Sequence, residues 1–111
     1  MVTGGWITQA DRSRWQQRAA AELAAILAGH PDLPVIAWTV TASGGALSGQ
    51  VLAPAGGRRV LFAEWQQALG LDEVTEIPSA DGTPVYLRAR GVCGGVPVSL
   101  AATLFDEEGS R

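Results

Sequence analysis

The stretch VYLRARGVCGGVPVSLAATL, Val85 to Leu104, decides the fold. From Val96 onward, Val96, Val98, Leu100, Ala102 and Leu104 occupy every second position, the period of a strand with one face in a core. Upstream of Gly94-Gly95, Val85, Leu87 and Ala89 repeat the same alternation. A glycine pair between two alternating runs is hairpin chemistry, and a turn that short permits only antiparallel pairing.

The same reading extends towards the N-terminus. Asp81-Gly82 is a second hairpin turn, and Glu73–Pro78 before it predicts a strand that Pro78 confines to an edge or an end. Leu61, Phe62, Trp65 and Leu69 have helical spacing between the loop of residues 54–57 and Gly70, and Leu71 can fold back on the last turn. Ile36, Trp38 and Val40, then Leu47, Gly49 and Val51, predict a further hairpin around Ser43-Gly44-Gly45. Thr8 with Asp11 three residues later marks a helix start near Gln9, and Gly29, His30 and Pro31 end it. Its apolar stripe is Trp15, Ala19, Leu23, Ile26 and Leu27.

These elements predict an α+β fold: a two-layer sandwich with two helices on one face of an antiparallel sheet of about five strands, in the order α-β-β-α-β-β-β. The other sheet face carries Thr39, Thr41, Ser48, Gln50, Tyr86, Arg88, Arg90, Ser99 and Thr103. One domain is expected over residues 1–111, ordered from about 6 to 105, with an acidic C-terminal tail at 106–111.

Composition agrees with a packed domain. A length of 111 residues, 47% hydrophobic and 17% charged, lies outside the regime of intrinsic disorder. All eight basic residues are arginine, and the net charge of −3 offers no global attraction to phosphate or anionic lipid. The single cysteine, Cys93, points to a reducing compartment. With neither a signal-like N-terminus nor a membrane-length apolar run, the expected location is the cytoplasm and no membrane partner is expected.

Chemistry-bearing residues are sparse. His30 is the only histidine and sits in a helix-ending segment, where capping or solvent contact accounts for it. Cys93 lies at a hairpin end, away from the helix N-terminus or basic neighbour that activates a thiol. Asp72, Glu73 and Glu76 read as a solvated edge. No catalytic constellation, metal set or cofactor motif emerges, so no catalytic residue, metal or cofactor is expected. The candidate partner- or anion-binding residues are Arg58 and Arg59 at a helix start, Tyr86, Arg88 and Arg90 along one side of a strand, and Trp6 in a glycine-flanked segment.

The segments Ala21-Glu22-Leu23, His30-Pro31-Asp32-Leu33-Pro34, Ala37-Trp38-Thr39, Phe62-Ala63-Glu64-Trp65, Ala68-Leu69-Gly70-Leu71 and Leu87-Arg88-Ala89 make the chain resemble small α+β proteins of uncharacterised role from high-GC actinobacteria such as streptomycetes. The resemblance covers roughly residues 8 to 105 and rests on packing and turn residues. It implies an association with plasmid-like or integrative elements and transfers no functional residue. The expectation is a non-enzymatic protein-interaction or regulatory module, homodimeric. The alternatives are a nucleic-acid accessory protein using Arg58, Arg59, Arg88 and Arg90, or a small-ligand binder or enzyme with its site between helices and sheet.

Overall fold

The structure, a computed structural model, describes residues 7–41, 45–52, 57–80 and 84–104. The Ser43-Gly44 and Asp81-Gly82 turns, most of the 54–57 loop, Trp6 and the acidic tail lie outside these residues. Helix α1 (Gln9–Gly29) is followed by strands β1 (Ala37–Val40) and β2 (Leu47–Val51), helix α2 (Arg58–Leu69), and strands β3 (Glu73–Pro78), β4 (Val85–Cys93) and β5 (Val96–Leu104).

Local chemistry sets the helix limits. The Thr8 hydroxyl accepts from the Asp11 N–H while the Asp11 carboxylate accepts from the Thr8 N–H, a reciprocal capping box at the start of α1. These bonds from Thr8, with Arg14 beside them, hold the Asp11 carboxyl below its ordinary pKa. At the end of α2, Gly70 takes φ 66°, Gly70 N–H reaches Gln67 O and Leu71 N–H reaches Gln66 O. The turn throws Leu71 back into the core, where it is fully buried against Gly91 of β4.

The five strands form one sheet in the order β1-β2-β5-β4-β3. The hairpins β1–β2, β3–β4 and β4–β5 are antiparallel, as their short turns require. The sheet as a whole is mixed, however, because β2 and β5 run parallel, pairing Leu47 with Val98 and Val51 with Ala102. This corrects the expected antiparallel sheet. Turns fix pairing only within a hairpin; the long passage through α2, β3 and β4 returns the chain beside β2 in the same direction.

Side chains from one sheet face and from both helices share a single core. Leu47, Val98, Leu100, Leu87 and Leu104 face Ala19 and Ile26 of α1 and Phe62 and Trp65 of α2. Helix α2 lies over β5 and its two neighbours, β2 and β4, while α1 lies over β1 and β5. Two departures concern the first stripe: Leu27 is 46% exposed, and Trp15 is half-buried, its Cβ lying over Gly45 at the sheet end instead of joining the core. At the β4–β5 turn both glycines have positive φ, 57° and 81°, as a two-residue turn demands, with Glu22 and Arg18 of α1 lying across them.

Gly49 is required by packing rather than by conformation. It pairs with Trp38, and a Cβ there would stand 2.8 Å from Leu100 Cδ2 and 3.1 Å from both Ile36 Cδ1 and Trp38 Cη2. Gly49→Ala is therefore expected to destabilise the fold by about 1–3 kcal/mol through overpacking. At Gly29, where a Cβ meets nothing within 4 Å, the same change is expected to stabilise by up to about 1 kcal/mol. Urea titration of both variants checks the opposite signs.

Candidate interaction surface

Cross-strand register assembles the surface opposite the helices. Tyr86 stands between Ile77 and Thr103, Arg88 between Thr75 and Ala101, and Arg90 between Glu73 and Ser99. Beyond β5, Ser99 continues to Ser48 and Thr39, and Ala101 to Gln50 and Ala37. Alternation along β4 places Val85, Leu87 and Ala89 in the core and leaves Tyr86, Arg88 and Arg90 exposed, as the sequence pattern predicts. Arg88 and Arg90 line a depression of about 180 Å³ with Glu73, Thr75 and Ile77.

At this side of the molecule the edge strand stands uncovered. All six residues of β3 are exposed, including Val74 on the helix side (51%) and Ile77 on the open side (46%). The reason is that α2 packs chiefly over β5, β2 and β4. Ser79 N–H donates to Pro84 O at 3.0 Å, which fixes the phase of the β3–β4 ladder. Residues 73, 75 and 77 turn their main-chain groups to β4, and Val74, Glu76 and Pro78 turn theirs outward. Pro78 thus sits where its missing N–H costs the sheet nothing, in keeping with the edge position its sequence requires.

The candidate arginines divide between the two sides of the sheet. Arg58 Nη1 donates to Thr103 O at 2.9 Å, tying the start of α2 to β5. Arg59 Nη1 lies 3.4 Å from Glu76 Oε1, bridging the same helix to β3. Both belong to the helix layer, whereas Arg88 and Arg90 project from the open face, so the four do not form one patch. Among the described residues the ion pairs are Arg14–Asp11 and Arg59–Glu76; neither Arg88 nor Arg90 belongs to one.

A second feature, which reading by residue type did not locate, is a cavity of about 390 Å³ at the end of α1, lined by Leu27, His30, Pro34, Ile36, Trp38 and Trp65. Trp65 meets Trp38 edge-on with centroids 5.6 Å apart and donates from Nε1 to Pro34 O at 2.8 Å. Trp38 Nε1 is buried with no hydrogen-bond partner among the described residues. His30 closes α1 and approaches Trp65 at 6.4 Å, a packing role.

Cys93 is half-buried, with Sγ 3.7 Å from Leu69 O. Burial, reinforced by the Glu22 carboxylate, pushes its thiol pKa up. The position therefore suppresses the thiolate a nucleophile needs. Among the described residues no group of three or more His, Cys, Asp or Glu side chains is placed to hold a metal ion, and no helix is long and apolar enough to cross a membrane. The chain matches no protein-family model, and no curated protein matches it.

Alkylation of Cys93 near neutral pH is expected to be several-fold slower in the folded protein than in urea. Because the folded thiol keeps its proton to higher pH than the unfolded one, its contribution to stability is intact below the ordinary thiol range and is lost as pH rises from there through the raised pKa of the folded thiol. Cys93→Ala is expected to flatten that alkaline decline, read from urea midpoints across the pH range.

Proposed function

We propose that this chain is a non-enzymatic protein-interaction module that docks partners on the open sheet face and its β3 edge. The observation that carries this reading is that β3 is exposed along its whole length while the adjoining face presents Tyr86 (45% exposed) and Ile77 beside Arg88 and Arg90. An aromatic and an aliphatic side chain flanked by guanidiniums is the composition of a binding patch, where tyrosine and arginine supply most of the energy. The raised thiol pKa of Cys93 and the packing role of His30 speak against catalysis by those groups. A homodimer is one form of this reading.

A second reading is nucleic-acid binding, favoured by Tyr86 with the two arginines outside ion pairs, an arrangement suited to stacking a base and meeting its phosphate. Glu73 opposite Arg90, the helix-side position of Arg58 and Arg59, and a net charge of −3 weigh against it.

Affinity capture with the tagged chain at low salt separates the two. A protein held by the wild type and lost from the Tyr86→Ala/Ile77→Ser double variant, with unchanged thermal unfolding, is the expected result. Single-stranded nucleic acid released by salt, with a salt slope reduced in Arg88→Ala and Arg90→Ala, would replace the interaction reading with the second.

A further inference from the structure

Granted that the β3 side is an interaction surface, we infer that its partner is a second copy of this chain, joined antiparallel along β3 about a two-fold axis at Thr75. The two sheets then continue into one. Symmetry narrows the possibilities to a few registers, because opposed residues in a sheet share a face and the axis leaves each face on its own side; a residue of even number can only oppose another of even number.

Charge chooses among those registers. With Glu76 at the axis, two glutamates oppose each other directly. With Val74 at the axis, Asp72 opposes Glu76 of the second copy, and like charges placed opposite are destabilising. With Thr75 at the axis, Val74 opposes Glu76 of the second copy and Glu73 opposes its Ile77, so no like charges meet. The ladder phase admits all three registers, so charge decides between them. Val74 and Glu76 point their main-chain groups outward and exchange both hydrogen bonds with Glu76 and Val74 of the second copy, and the missing N–H of Pro78 falls opposite Asp72, just outside the strand, where it costs only the last bond of the ladder.

The flanking rows fit the same register. On the open face Tyr86 and Ile77 of one copy come alongside Glu73 and Arg90 of the other, so each copy's apolar pair adjoins the other's charged pair. The opposite edge, β1, is a weaker candidate: it has four residues, its Trp38 and Val40 are partly packed in the core, and its pattern carries no charge to set a register. The β3 interface is narrow, so the dimer belongs with the weak, concentration-dependent associations.

Sedimentation equilibrium over a wide concentration range tests this on the full chain, with circular dichroism to confirm that each variant folds. Wild type is expected to pass from monomer to dimer. Val74→Glu sets glutamate against Glu76 of the second copy twice over and is expected to weaken the dimer at least ~10-fold. Adding Glu76→Arg to it restores opposite charges and is expected to recover dimerisation, a rescue that the register centred on Glu76, where the two arginines oppose each other, does not give. In a Cys93→Ala background, Thr75→Cys is expected to cross-link two copies under mild oxidation, since facing residues of a non-hydrogen-bonded pair lie within disulfide reach. A strictly monomeric wild type overturns the inference, as does a dimer indifferent to Val74→Glu. If that monomer still captures another protein through Tyr86 and Ile77, the interaction reading survives without self-pairing; if it captures none, both fall.

Discussion

Everything in this domain depends on burying β5 completely on one face while hydrogen-bonding both of its edges. Val96, Val98, Leu100, Ala102 and Leu104 are all buried, with β4 on one flank and β2 on the other. Helix α2 can cover that strand and its two neighbours because a helix with its side chains is about 10 Å wide, roughly two strand spacings. Helix α1 closes the β1 end. What remains without a roof is β3, and its composition is that of a strand built for water: Glu73, Thr75 and Glu76 among Val74, Ile77 and Pro78. The uncovered edge follows from the geometry of two helices over five strands.

Glycines serve that packing in different ways. Gly70 lets the chain turn left-handed so that Leu71 enters the core, and Gly91 leaves room for it: a Cβ at Gly91 would stand 2.7 Å from Leu71 Cδ2. Gly49 leaves room for Trp38, the residue through which β1 joins the aromatic cluster with Trp65. The sheet therefore has close backbone approaches under the largest side chains, which is how it holds bulky tryptophans in a chain of modest length.

Local features are legible in the amino-acid order itself. The Thr8–Asp11 box, the Gly70 stop, the Glu73–Pro78 strand and the alternation of β4 and β5 each arise from interactions within a few residues, so sequence spacing carries them. The parallel pairing of β2 with β5 does not, because it joins segments separated by α2, β3 and β4, and no turn residue encodes it. The same limit explains the arginines. Arg58 and Arg59 read together with Arg88 and Arg90 as one basic set, but α2 lies on one side of the sheet and Arg88 and Arg90 point to the other. Helical period alone assigns Trp15 and Leu27 to the core; α1 rests near the sheet end, so its stripe outruns the surface it covers.

The division of charge that follows is the more informative outcome. Had the four arginines converged, a polyanion would be the natural ligand despite the acidic chain. Instead Arg59 is engaged by Glu76 and Arg58 by a main-chain carbonyl, leaving the open face with two guanidiniums, a phenol and an isoleucine beside a glutamate. In the proposed interaction, alternating charge and apolar side chains on the sheet face favour a partner with its own alternating pattern, because each misplacement sets charge against apolar surface or against like charge. Another strand offers that pattern at the right spacing, whereas a nucleic-acid backbone offers only repeated negative charge. In the proposed pairing, the features that discourage indiscriminate edge contact, Glu73, Glu76 and Pro78, are therefore the same ones that weigh between one register and its neighbours, so protection of the edge and choice of register have a single physical origin.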